Sequence, residues 1–169
     1  SRKDREVLRQ LAQRQAQIAA LPIQEDTEGE WRRLNGLKAG RPLVWINELP
    51  WHEMNADGEL ALRTEDEYAR QVEWQLRALL YQWDHMRGDM VVEPVIYSPV
   101  VIRDTGFGIG EDARYVKTDQ KSGIASREFH PQIQEMEDIQ KIKMPEVTVD
   151  EEASRVRFEL LNECFGGIL

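Results

Sequence analysis

Glu48, His52 and Glu53 follow directly on a short apolar run, Leu43 to Asn47, and each carries a group that can give or take a proton or ligate a metal. Asn47 adds an amide that both donates and accepts, and Trp51, beside Pro50, offers an indole face for stacking over a ligand. Glu48, His52 and Glu53 are therefore the first candidate catalytic residues, with Asn47 and Trp51 as candidate substrate-binding residues. A second pair, Glu93 and Tyr97, stands near the end of another apolar run. If the two runs are adjacent parallel strands, that pair converges on the same face as the first group. A carboxylate in a buried strand needs a partner or a ligand, which adds Glu93 to the catalytic candidates and Tyr97 to the binding ones. The plainer alternatives are a polar loop bonded to nearby backbone for the first group and a structural ion pair for Glu93.

Other residues of chemical interest read as structural. His52, His85 and His130 are the only histidines and show no close ligand spacing, so no metal site is expected within the chain. His85 sits in the last turn of a helix, where it interacts favourably with the helix dipole. Thr105-Gly106-Phe107-Gly108-Ile109-Gly110 lacks the spacing of a dinucleotide fingerprint and reads as a turn. Cys164 lies on the apolar face of the last helix, with nothing nearby to lower its pKa, and belongs to a core. Trp31, Trp74 and Trp83 read as packing residues.

The elements that must position these groups follow from periodicity. Val7, Leu8, Leu11, Ala12, Ile18 and Ala19 recur at helical spacing from Asp4 to about Ala20, and Pro22 ends the pattern. A shorter helix runs from about Gln24 to Leu34, with Asn35-Gly36 as its stop. Lys38 to Pro42 turns into a strand, Leu43 to Asn47, bounded by prolines. Thr64-Glu65-Asp66-Glu67 has the form of a capping box ahead of a long helix carrying Tyr68, Val72, Leu76, Leu79, Leu80, Trp83 and Met86, closed by Gly88. A second strand is expected at Met90 to Val92, continuing through Val95 to Tyr97 and into Val100 to Ile102. The glycine-punctuated stretch Gly106 to Ser126 reads as loop with short strands. A helical turn follows around Met136 to Ile139. A last helix, capped by Thr148 or Asp150, carries Ala153, Val156, Leu160, Leu161 and Cys164 and ends at Gly166-Gly167. Ile168-Leu169 reads as the start of a further strand. This alternation is that of an α/β parallel sheet or barrel, with too few strands to close one.

The totals narrow the class further. A hydrophobic content of 41% in 169 residues suffices for a core, and a net charge of −9 without a basic patch argues against nucleic acid as a partner. A single cysteine permits no internal disulfide and fits a reducing, cytoplasmic setting. No apolar run approaches the length of a membrane span, so no membrane partner is expected.

Arg41-Pro42-Leu43-Val44-Trp45 resembles the first barrel strand of the uroporphyrinogen decarboxylase superfamily, whose pattern is Arg-x-Pro-Val-Trp followed by a polar, ligand-facing loop. Here the spacer between Arg41 and Pro42 is missing. Ile133-Gln134-Glu135-Met136-Glu137-Asp138-Ile139, with Lys141-Ile142 and Pro145 behind it, is similar to a connecting segment of that superfamily, in which an acidic pair and a proline precede the next helix. The chain resembles the N-terminal portion of bacterial members without an assigned activity. The resemblance implies a (β/α)8 TIM-type barrel of which residues 41–169 are the first, incomplete part, preceded by a helical segment over residues 1–40. It also implies either porphyrinogen decarboxylation without a cofactor or corrinoid (cobalamin)-dependent methyl transfer, with zinc in many members. The decarboxylases carry Arg-Gln-Ala-Gly-Arg after the first strand to hold substrate carboxylates, whereas this chain has Asn47-Glu48-Leu49-Pro50-Trp51, which would repel a polycarboxylate. Methyl transfer by the full-length protein is thus the leading expectation, with a small methyl donor or a corrinoid protein as partner. The superfamily's zinc-binding His and Cys residues fall beyond Leu169, so the cofactor would be held outside this chain. The alternative is a non-catalytic fragment or binding module that self-associates as a homo-oligomer.

Overall fold

The structure is a computed structural model that describes residues 1–117 and 125–169. The chain divides into two compact units, Ser1–Ser98 with Arg157–Leu169, and Pro99–Val156. No helix among the described residues is long and apolar enough to cross a membrane.

The first unit is built on helices. α1 (Arg2–Ala19) and α4 (Glu67–His85) form its centre, and α2 (Pro22–Asn35) and the single turn α3 (Trp51–Met54) lie between them in the chain. Pro22 occupies the start of α2, where its missing N–H costs nothing. Leu8 and Ala12 of α1 close a first core with Ala69, Val72 and Leu76 of α4, joined by Leu161, Cys164 and Phe165 from the end of α5 (Glu151–Phe165). A second core collects Ile18, Leu80, Trp83, Met90 and Val92. The helical spacing read from the sequence places Leu8, Ala12, Ile18, Val72, Leu76, Leu80, Leu161 and Cys164 inward but not Val156, which is exposed, and Cys164 is a core residue whose thiol burial pushes upward in pKa.

The proposed box at Thr64 works differently. The N-cap of α4 is Asp66, whose carboxylate accepts from the Ala69 amide at 2.9 Å. Thr64 instead donates its hydroxyl at 2.7 Å to Glu73, and Glu73 also accepts from the amides of Arg63 and Thr64 and from Arg77 Nε at 2.7 Å. Glu73 is wholly buried. Burial alone would raise its pKa, but the bonds from Thr64, Arg77 and Arg63 outweigh it and the carboxyl stays below its ordinary range. A buried carboxylate with this many donors claims Thr64 more strongly than a helix end can.

The expected strands at Leu43–Asn47 and Met90–Tyr97 are not sheet strands, and no parallel ladder joins them. Helix side chains hold their backbone instead. Gln82 donates to the Ile46 carbonyl at 2.7 Å, Gln15 to those of Glu93 and Val95 at 2.8 and 3.1 Å, and Gln24 accepts from the Val92 amide at 2.8 Å. The first segment is fastened just ahead of the second, where the Asp89 amide donates to the Val44 carbonyl at 2.9 Å and the Val44 amide donates to the Asp89 carboxylate at 2.7 Å. Gly88 makes this approach possible: its φ is +52°, and a Cβ there would lie 2.8 Å from the Val44 carbonyl oxygen.

The second unit carries two antiparallel pairs among its described residues. β1 (Ile102–Asp104) pairs with β4 (Val147–Val149), setting Ile102 opposite Val149, and β2 (Ala113–Val116) pairs with β3 (Ser126–Phe129), setting Ala113 opposite Phe129. Residues 118–124 of the stretch read as loop and short strands lie outside the described residues. A 3-10 turn, Met136–Lys141, matches the expected helical turn, and Asp150 caps α5 by accepting from the Ala153 amide at 3.0 Å. Ile168-Leu169 forms a turn rather than a strand, the Ile168 amide donating to Phe165. The fold is thus mixed helix and strand, as the class reading had it, with small antiparallel sheets in place of a parallel one.

Candidate functional site

The strap from Arg41 to Pro50 is anchored at its start by a charge cluster. Arg41 reaches Asp89 and Glu30, each at 2.5 Å, and Trp31 donates its indole N–H to the Asp89 carbonyl at 2.7 Å. The Arg41 guanidinium, followed by the Val44 amide, lowers the Asp89 carboxyl from its ordinary 3.8 to about 2. A lowered folded-state pKa means that the ionised anchor stabilises the docked strap above the ordinary value and loses it as pH falls through the folded one. The Val44 amide resonance should therefore be unchanged down to about pH 3 and shift only as pH falls toward 2. In Asp89→Asn it should lose this titration and take an exposed-amide position at neutral pH.

Beyond the anchor the strap passes into α3. Trp51 meets Trp74 edge-on at 5.6 Å between ring centroids and Tyr81 at 6.2 Å, and Tyr81 lies against His85 at 4.3 Å. His85 Nε2 is 3.1 Å from a Glu59 carboxylate oxygen, so its partner is an acidic side chain. Trp51, the candidate for covering a ligand, is thus half-buried against α4.

The structure brings some of the candidate residues together and leaves others apart. His52 Nε2 is 3.4 Å from Glu53 Oε1, an ion-pair distance when the imidazole is charged. Asn47, Glu48 and Tyr97 are exposed, and their side chains make no hydrogen bond or ion pair among the described residues. Glu93 is also exposed; its carbonyl is gripped by Gln15, while its carboxylate is unpaired among the described residues.

Glu93 belongs to a different surface from His52. Together with Glu28, Trp31, Trp45 and Val91 it lines an apolar trough of about 600 Å³. Trp45 and Trp31 are the residues that sequence reasoning missed here. Trp45 sat inside the quoted strand motif and Trp31 read as packing, and nothing local signals that α2 brings the second beside the first. A cavity of about 350 Å³ is lined in part by the anchor itself, with Asp26, Glu30, Arg41 and Asp89. Three of these charges, Glu30, Arg41 and Asp89, satisfy one another, which makes that cavity structural. Among the described residues no group of three or more His, Cys, Asp or Glu side chains is arranged to hold a metal.

No protein-family model, no curated protein and no solved structure matches the chain.

Proposed function

We propose that the chain is the first part of a uroporphyrinogen decarboxylase-like (β/α)8 barrel whose complete protein carries out corrinoid-dependent methyl transfer. The observation that supports this most is the junction of Val44 and Asp89, which fastens the proline-bounded run Leu43–Asn47 to the start of the second apolar run while Val44, Trp45, Val95 and Tyr97 remain exposed. Apolar segments of this kind are covered in a finished fold, and neighbouring barrel strands would cover them. Glu48, His52 and Glu53 are proton-handling candidates on one surface and Glu93 is one on a separate surface, with Asn47, Trp51 and Tyr97 as the groups that would orient a methyl donor. The acidic set at 48–53 disfavours a polycarboxylate, so decarboxylation is the weaker chemistry.

A corrinoid supplies the metal centre that accepts or delivers the methyl group. The donor set in this chain does not fit zinc, since no three ligating side chains converge among the described residues. The part left to these residues is to bind the donor, keep it oriented and move a proton to or from its leaving group.

The test is a spectral titration of the complete gene product with hydroxocobalamin, followed by methyl transfer in the His52→Ala and Glu93→Gln variants. Saturable binding is expected, with variants that bind the corrinoid normally and transfer roughly 10²-fold more slowly. A spectrum unchanged by the protein overturns the proposal.

One observation favours a second reading, a self-associating binding module. The described part of Pro99–Val156 contains no buried residue and exposes Ile102, Phe107, Phe129 and Val147, apolar side chains that a partner copy could cover. Sedimentation of the same samples decides it: a monomer at every concentration removes this reading.

A further inference from the structure

The trough lined by Glu28, Trp31, Trp45, Val91 and Glu93 has walls and rim of different chemistry. Its walls are two indoles. The N–H of Trp31 is committed to the Asp89 carbonyl at 2.7 Å, which holds the ring in its place in the lining. Trp45 is 53% exposed, high for the largest apolar side chain, on a strap whose backbone is held at Val44 and Ile46. Val91 supplies a further apolar contact. The charged members are both acidic: Glu28 shares its carboxylate with Arg32 at 2.5 Å, and Glu93 shares its own with no described side chain. Gln15 holds the Glu93 carbonyl, so the backbone beneath that free carboxylate is pinned.

We infer that this trough binds an organic onium cation, a quaternary ammonium or sulfonium headgroup. The negative face of an indole attracts a cation, and methyl groups spread the charge over a surface that can also pack against Val91. A carboxylate at the rim complements the charge that remains. A bare metal ion would need converging oxygen donors, which are not gathered here among the described residues. An anion would meet two carboxylates and no lining cation. The inference shares Glu93 with the proposed methyl transfer but is read by binding alone, so either can fail without the other.

Isothermal titration of the protein with choline, set against its neutral isostere 3,3-dimethylbutan-1-ol, tests it. Choline should bind at one site, with the isostere at least roughly 10-fold weaker. Trp45→Ala should lose roughly 10-fold in affinity with Trp45→Phe between it and the parent, and Glu93→Gln should lose roughly 3-fold and weaken the salt dependence. Because Trp45 is largely exposed, far-ultraviolet circular dichroism of Trp45→Ala should match the parent and certify the comparison. Equal binding of the two ligands, unchanged choline affinity in Trp45→Ala, or no binding heat with choline overturns the inference.

Discussion

Replacing Glu73 with alanine is expected to destabilise the first unit by about 3–5 kcal/mol, seen as a large drop in the urea midpoint. The substitution removes a fully buried acceptor from the Arg63 and Thr64 amides, the Thr64 hydroxyl and the Arg77 guanidinium at once. Water cannot easily replace it, because Thr64 is itself buried. Glu73→Gln should recover little, since its amide would point a donor at donors. Thr64→Val removes a single hydroxyl bond and should cost about 1 kcal/mol. The loss has a consequence for the candidate site. Arg77 also donates to the Glu59 carbonyl at 2.9 Å, so this cluster binds the 59–64 segment to the same helix on which Trp51 rests. A loss below about 1 kcal/mol in Glu73→Ala would show that the cluster is solvated rather than buried.

Phe165→Ala should cost about 3–5 kcal/mol, measured by thermal or urea unfolding. Phe165 is 2% exposed and packs, with Leu161 and Cys164, against Leu8, Ala12, Ala69, Val72 and Leu76. Its neighbours in that core are themselves packed, so a cavity term adds to the lost transfer energy. Arg9 donating to the Cys164 carbonyl at 2.7 Å and the Arg5–Glu163 pair at 2.6 Å fasten the same turn from outside, but these exposed contacts cannot compensate for an aromatic ring. By contrast Phe158, 59% exposed on the same helix, should tolerate alanine with a change below about 0.5 kcal/mol.

The last helix shows both what sequence reading reaches here and what it misses, since Leu161 and Cys164 are buried as expected, Val156 is exposed, and the buried Phe165 is not among the expected core residues. Helices declare themselves through a repeat that any window can sample, and α1, α2, α4 and α5 lie close to where Leu8, Trp31, Leu76 and Leu161 put them. A strand is defined by its neighbour, and Leu43–Asn47 and Met90–Tyr97 have the composition of strands without a ladder beside them. What holds them is a set of glutamines, Gln15, Gln24 and Gln82, whose polar helix positions look like ordinary surface until the fold is known. The Thr64 box failed for a similar reason, because its hydroxyl is claimed by a carboxylate nine residues later. The closeness of His52 to Glu53 needed no fold to foresee. The meeting of Trp45 with Trp31 and Glu93 did, since it depends on where α2 turns back along the strap.

The first core joins Leu8 of α1 to Phe165 of α5 across nearly the whole chain. On a translating ribosome α1 and α4 can pair once His85 has left the exit tunnel, but their shared apolar face then waits for roughly eighty more residues, about 4–16 s at ordinary elongation rates. During that interval Leu8, Val72 and Leu76 form a sticky, half-covered surface within reach of neighbouring nascent chains. Slow codons downstream of α4 would lengthen that exposure.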